Sequence, residues 1–275
     1  MTGFGITGLL IALVTFLVSY KGFNNPSYFD QYAFRVDDIL YGRQYYRLLT
    51  SGLLHTGWVH LLFNAVTFYC FSSAVEVEVG YGNFLLLYVI SLIGGNLFSL
   101  WIHRHQSDYT AVGASGAISG LVFASIALYP RMEVGLAGIF MPGWLYGGLY
   151  VLLSAYGTVA QRDNIGHDAH LGGGIVGLLT VLAFQPGLLS SNYLTVAAIL
   201  VPAVAFFILI LRKPEAFIVG SFFGSTPSYQ TVDDRYHARQ RQQEHDLDKL
   251  LDKINRNGLD SLSQQEKKQL EKLSK

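Results

Sequence analysis

Charge is scarce along most of this chain. Of 275 residues only 14% are Asp, Glu, Lys or Arg, against roughly one quarter in an ordinary soluble domain. The scarcity is uneven. Residues 212–275 hold 12 of the 19 Lys and Arg and 10 of the 19 Asp and Glu, so the first 211 residues are almost bare of charge. That distribution fits a membrane body with a polar tail. A net charge of zero and the lack of a basic stripe leave no nucleic-acid footprint. Cysteine is scarcer still: Cys70 stands alone, which excludes an intrachain disulfide. No self-similar period stands out.

Long apolar runs are abundant. A bilayer crossing takes about 20 mostly apolar residues, and seven segments qualify, near 3–20, 53–74, 84–102, 111–129, 134–157, 166–184 and 194–211. The first has little flanking positive charge and no clean small-residue cleavage site, so it is expected to be a retained span. Tyr20, Trp58, Tyr81, Trp101, Tyr129 and Trp144 near the ends suit interfacial belts. The expected fold class is all-α, a polytopic membrane helical bundle of about seven transmembrane helices over 1–211 with a polar helical tail over 212–275. Between the first two spans, Lys21 to Gly52 mixes Tyr and Phe with Arg and Asp and is expected to lie in the interface.

In the tail, 213–230 reads as a linker with Pro214 and Pro227. A helix is predicted from Asp233 to Asn255, with Leu247, Leu250, Leu251 and Ile254 on one face. Asn257-Gly258 ends it, and Ser263 with Glu266 forms a capping box for a last short helix edged by Leu270 and Leu273. A solvated helical hairpin is the plain reading, and a docking site for a protein partner is the alternative.

Polar groups inside spans are costly and point to function. Here they are His60 and Asn64 in the second span, Asn96 in the third, Ser115 in the fourth and His170 in the sixth. The second, fourth and sixth spans run parallel from the side of the first loop. On the predicted boundaries His60, Ser115 and His170 lie roughly 6–10 Å below one surface, at about 1.5 Å per residue. Asn96 comes out on the same side without a partner that the sequence can name. His60 and Asn64 share one helix face. Gly116 with Gly120, and Gly173 with Gly177, are small-xxx-small pairs that permit close backbone approach. If they meet, His170 comes within reach of Ser115 as an adjacent base. His60, Asn64 and the N–H groups opening the fourth helix are then candidate oxyanion donors. Taken singly, Ser115 reads as a packing serine, His170 as a structural histidine and Asn64 as interhelical glue; their shared depth favours chemistry. His55, His103, His105 and His167 fall at span ends or in loops and are expected to be interfacial.

Competing chemistries lack their residues. There is no H-E-x-x-H for zinc, and His167 with His170 has no evident third ligand. No pair of carboxylates lies deep in a span. The soluble-hydrolase elbow G-x-S-x-G fails because residue 117 is Ala. Asp168, two residues before His170, points to another helix face, so a Ser-His dyad is favoured over a triad.

Over about residues 40–185 the sequence resembles the rhomboid intramembrane serine proteases. The resemblance rests on Tyr46-Arg47, His60-Leu-Leu-Phe-Asn64, Gly113-Ala-Ser115-Gly116 and Ala169-His170-Leu-Gly-Gly173, in order on successive spans. It implies the type with six core helices and one more at the C-terminus. It implies Ser115 as nucleophile, His170 as general base, and an oxyanion site from Asn64, His60 and backbone N–H at Ser115 and Ala114. Gly113, Gly116, Gly120, Gly173, Gly177 and Arg47 take structural parts.

The implied substrates are membrane-anchored proteins cut in or beside a transmembrane helix, in the lipid bilayer, with no cofactor, no metal and no nucleic acid. The fifth span and the loop 158–166, between Gly157 and Gly166, are the implied gate. A silent rhomboid-like escort protein is the alternative, disfavoured because Ser115 and His170 are both present.

Two features depart from the family. Tyr46 stands where a tryptophan is frequent. Ser119 stands where some members place a tyrosine that stacks on the histidine, so His170 needs other support. The expected location is a bacterial inner (plasma) membrane. Lys21, Arg35, Arg43, Arg47, Arg104 and Arg162 lie on the first-loop side and only Arg131 opposite, which by charge places that loop in the cytoplasm. The family orientation, with the first loop outside, is preferred.

Overall fold

The computed structural model describes residues 5–136, 139–160 and 166–212. The chain divides into two units, Met1–Phe222 and Phe223–Lys275, and every described residue belongs to the first. The predicted tail helices lie outside the described residues.

Among the described residues, seven apolar helices of 14 to 23 residues build an all-α bundle. They are α1 (Ile6–Asn24), α5 (Trp58–Val79), α6 (Tyr81–His103), α7 (Ser115–Leu128), α8 (Gly143–Ala160), α9 (His167–Phe184) and α11 (Tyr193–Arg212). Four of them, α1, α5, α6 and α9, are long and apolar enough to cross a membrane. The first loop folds into α2 (Pro26–Tyr32), β1 (Phe34–Arg35), α3 (Val36–Leu40), α4 (Arg47–Thr50) and a 3-10 turn (Ser51–Leu53). Strand β2 (Thr110–Ala111) pairs antiparallel with β1, strands β3 (Glu133–Leu136) and β4 (Ile139–Pro142) form a hairpin, and α10 (Leu188–Ser191) joins α9 to α11.

Helix α7 is the hub. It is only 14 residues long, and every residue from Gly116 to Ala127 is buried. A helix apolar all round belongs in the middle of a bundle, and α5, α6, α8 and α9 pack around it. The outer helices turn their large side chains outward: α1 exposes Leu9, Leu10, Leu13 and Leu17, and α5 exposes Val59, Leu62, Phe63 and Val66. Where the outer solvent is lipid, such faces need no polar cover.

Contacts between α7 and α9 run backbone to backbone. A Cβ on Gly173 would overlap the Gly116 carbonyl, and one on Gly177 would overlap the Gly120 backbone. A Cβ on Gly95 of α6 would lie 2.6 Å from the Ala169 carbonyl oxygen of α9. These glycines set helix spacings that no larger residue fits.

Several span boundaries differ from those expected. The fourth helix starts at Ser115, not 111, because Thr110 and Ala111 are drawn into pairing with the first loop. The fifth starts at Gly143, not 134: the apolar run before it is the β3–β4 hairpin. Hydrophobicity alone does not separate a short apolar strand from a helix, and Pro142 has no N–H to give a helix interior. The second starts at Trp58 rather than 53, after the 3-10 turn, and the first runs from Ile6 to Asn24 rather than 3–20.

The first loop is pinned from within by Arg47, 5% exposed. Its guanidinium donates to the carbonyls of Asp30 (2.7 Å) and Ala33 (2.6 Å) and to Gln44 Oε1 (2.8 Å), and pairs with Asp38 at 3.0 Å. The planar fork suits such a set of acceptors. At the opposite face, the buried Glu76 of α5 accepts from the N–H groups of Thr7 (2.8 Å) and Gly8 (2.9 Å). Helix α1 has no side-chain cap of its own, so Glu76 supplies one from a neighbouring helix and meets the positive end of its dipole.

Candidate active site

Ser115 is the first residue of α7, His60 the third of α5 and His170 the fourth of α9. The three therefore share the first turn of three parallel helices, somewhat nearer the helix starts than the predicted boundaries implied. Helix α7 is the shortest of the seven: its fourteen residues span about 21 Å, against a hydrocarbon core of about 30 Å.

Upstream of Ser115, Thr110 and Ala111 are extended, and backbone polar groups in a membrane body need partners within the protein. They have them. Strand β2 pairs with β1, and the Gly113 N–H donates to the Ser51 carbonyl at 3.0 Å. Ser51 is itself held by Asn96, whose amide donates to the Leu48 carbonyl (2.7 Å) and to Ser51 Oγ (3.2 Å). Asn96, without a partner in the sequence, thus ties the first loop to the strand that delivers Ser115.

Gly113 has φ +133°, a conformation that L side chains rarely adopt. A Cβ there would stand 3.0 Å from His60 Nε2 and 3.6 Å from Ser115 Oγ. The missing side chain leaves a small space bordered by both groups. Thr56 Oγ1 lies 3.1 Å from His60 Nδ1 and the Thr56 N–H donates to that nitrogen at 3.5 Å. An N–H donor fixes Nδ1 as acceptor and leaves the proton on Nε2, facing that space. Asn64 donates one amide hydrogen to the His60 carbonyl at 3.0 Å. Ala114 is the buried N-cap residue of α7, and the N–H groups that follow it have no acceptor within the helix.

His170 is brought in by the glycine contact. A Cβ on Gly116 would be 3.3 Å from the Ala169 carbonyl oxygen, and Gly173 sits on the Gly116 carbonyl, so the neighbours of Ser115 touch the neighbours of His170. Asp168 faces away, buried and paired with His103 Nε2 at 3.3 Å. Gly157 lies inside α8, where the His167 ring fills the place of its side chain. Residues 161–165 of the implied gate lie outside the described residues. Among the described residues no three His, Cys, Asp or Glu gather to hold a metal.

Two histidines expected at the interface are buried. His103 stacks on Tyr109 at 3.6 Å and meets Gln106 Oε1 at 2.7 Å. His55 is fully buried, its ring 4.8 Å from that of His60. Ser19 donates to the Leu53 carbonyl (2.8 Å), so in its 2.9 Å contact with His55 Nδ1 the histidine is the donor. Burial, with His60 as a lesser cause, pushes the His55 pKa down to about 3.

Residues 42–186 match the family model described as Rhomboid domain. The chain belongs to the rhomboid family. Its helical bundle is rhomboid-like, and it is an integral membrane protein. This rhomboid is 26% identical over 198 residues to RHOMBOID-like protein 12, mitochondrial, of Arabidopsis thaliana, covering 66% of this chain and 59% of that protein. It is 35% identical over 147 residues to Putative rhomboid protease YdcA of Bacillus subtilis, covering 52% and 69%. With Rhomboid protease GluP of Bacillus subtilis it shares 30% over 173 residues, 62% of this chain and 33% of that one. The chain thus spans only part of the length of most of these relatives. Residues 230–275 match a second model, Family of unknown function (DUF6576).

Proposed function

We propose that this rhomboid is an intramembrane serine endopeptidase that cuts membrane-anchored proteins in or beside a transmembrane helix through a Ser115–His170 dyad. The observation that carries this reading is the backbone contact of Gly116 with Ala169 and Gly173, which seats the two first turns side by side. His170 takes the Ser115 proton as Oγ attacks the scissile carbonyl carbon. The negative charge moves to the substrate oxygen, where His60 Nε2–H, Asn64 and the N–H groups at Ala114 and Ser115 are its donors. His170 returns the proton to the departing amine as the peptide bond breaks. A water then repeats the sequence on the acyl-Ser115 ester, releasing the new carboxyl end. A substrate helix must give up i→i−4 hydrogen bonds before attack, so small or helix-breaking residues at the cut favour cleavage.

The location goes with this reading: a bacterial plasma membrane with the first loop outside. Arg47 counts little toward the charge rule, since its guanidinium is consumed inside the loop. A reporter fused after Lys275 reads the orientation, and cytoplasmic activity contradicts it. A protein partner for residues 230–275 is to be sought by crosslinking in membranes with and without those residues.

The dyad is tested by a fluorophosphonate probe on the purified full chain. Labelling of the Ser115 peptide that disappears in His170→Ala is the expected result. Labelling that persists at full rate in His170→Ala contradicts it.

A further inference from the structure

Position 119, one turn after Ser115 on the nucleophile helix, carries only a serine. Its hydroxyl donates to the Ser115 carbonyl at 2.7 Å. A carbonyl only accepts, so the single Ser119 proton is committed there. In the 2.6 Å contact between Ser119 Oγ and Tyr150 Oη, Tyr150 is therefore the donor. Tyr150 belongs to α8, and this bond fastens the tip of its side chain to α7 beside the nucleophile.

With its tip fixed, the ring lies against His170. The two ring centroids are 6.3 Å apart and tilted by 35°, within the range of aromatic contact. Phe123 meets the Tyr150 ring edge-on at 5.4 Å and Tyr146 flanks it at 6.0 Å. The ring is thus held by a hydrogen bond at one end and by aromatic neighbours along its sides. One face of the imidazole environment is supplied by a helix that carries neither Ser115 nor His170.

We infer that Tyr150 is a positioning residue that orients His170 from α8, using Ser119 as its anchor on α7. The inference rests on the dyad reading above. Helix α8 packs mainly on α11 and α9 and only lightly on α7, with Gly147 and Gly148 seated against Ile199 and Ala198 of α11. A displacement of α8 toward lipid withdraws Tyr150 from Ser119 and from His170 together. The base is then correctly held only while α8 is in place, which links admission of a substrate past α8 to competence for attack.

The test uses the full chain reconstituted in vesicles with a single-span reporter substrate, comparing wild type, Tyr150→Leu, Tyr150→Phe, Ser119→Ala, the Phe/Ala double variant and Ser115→Ala. Loss of the ring misplaces the base, and a misplacement of about 1 Å costs ~100-fold in rate. Tyr150→Leu is expected to lose about that factor in kcat with KM unchanged, the pattern of a lost transition-state interaction. Tyr150→Phe keeps the ring and loses only the anchor, for a drop of about 2- to 10-fold, and Ser119→Ala matches it. The double variant is no slower than the slower single, because both remove one bond. Wild-type kcat in Tyr150→Leu overturns the inference, and so do multiplicative losses in the double variant. The Phe and Ala changes are nearly isosteric, so the cycle decides the matter even if Tyr150→Leu folds poorly. Should Ser115→Ala cleave as well as wild type, the dyad reading itself falls, whatever Tyr150 does.

Discussion

Replacing Gly173 with Ala perturbs the helix contact on which the site depends. The new methyl would overlap the Gly116 carbonyl, far inside the 3.0 Å limit that real Cβ atoms respect. The obstacle is backbone at the buried Gly116, so it cannot swing aside as a side chain would. Relief requires α9 to move away from α7 by roughly an ångström, and overpacking of this kind costs about 1–3 kcal/mol. The same shift separates Ser115 from His170, for which a rate loss of ~100-fold is the expected scale. Gly187→Ala is the control, since a Cβ there meets nothing within 4 Å. The assay pairs thermal unfolding in detergent with cleavage of a single-span substrate in vesicles. Gly173→Ala with wild-type stability and turnover would refute the argument that glycine contact sets the geometry of the site.

Other perturbations have equally definite outcomes. His55 titrates at about 3 in the folded chain against 6.5 unfolded, so between these values the unfolded chain binds a proton that the folded chain refuses. Stability is therefore full above pH 6.5 and falls as pH drops toward 3; melting temperature against pH shows this slope, and His55→Gln flattens it. Arg47→Ala leaves the carbonyls of Asp30 and Ala33 without their donor and leaves Asp38 only Arg35, at 3.4 Å, and costs about 2–3 kcal/mol. Arg47→Lys does not restore it, because an ammonium lacks the fork; unfolding midpoints of both variants check this. Glu76→Ala strips the borrowed cap from α1 and costs about 2–3 kcal/mol, seen as faster proteolysis at the N-terminal helix.

The candidate site is more legible in the sequence than the scaffold beneath it. Ser115, His60, Asn64 and His170 stand out because polar groups in apolar helices are rare, and the glycine pairs announce themselves by spacing. What escaped is what needs three dimensions. Glu76 fell just beyond the predicted second span, and only the fold shows the start of α1 beside it. Asn96 had the right depth, but its acceptors are 45 and 48 residues away in the chain. Tyr150 looked like any aromatic in an apolar helix, because nothing local distinguishes a ring that faces lipid from one that faces a histidine. The β3–β4 hairpin passes for helix in the sequence because apolar strands and apolar helices have the same composition. Position along the chain suggests an interfacial place for His55 and His103, whereas packing of the first loop and of α9 buries them.

The proposed protease activity turns on attack of Ser115 on the peptide bond. Its most direct test is cleavage of a single-span substrate by wild type and by Ser115→Ala, purified in parallel and reconstituted at equal density in the same vesicles. Wild type is expected to yield two fragments and Ser115→Ala none. Equal cleavage by the two proteins would contradict it.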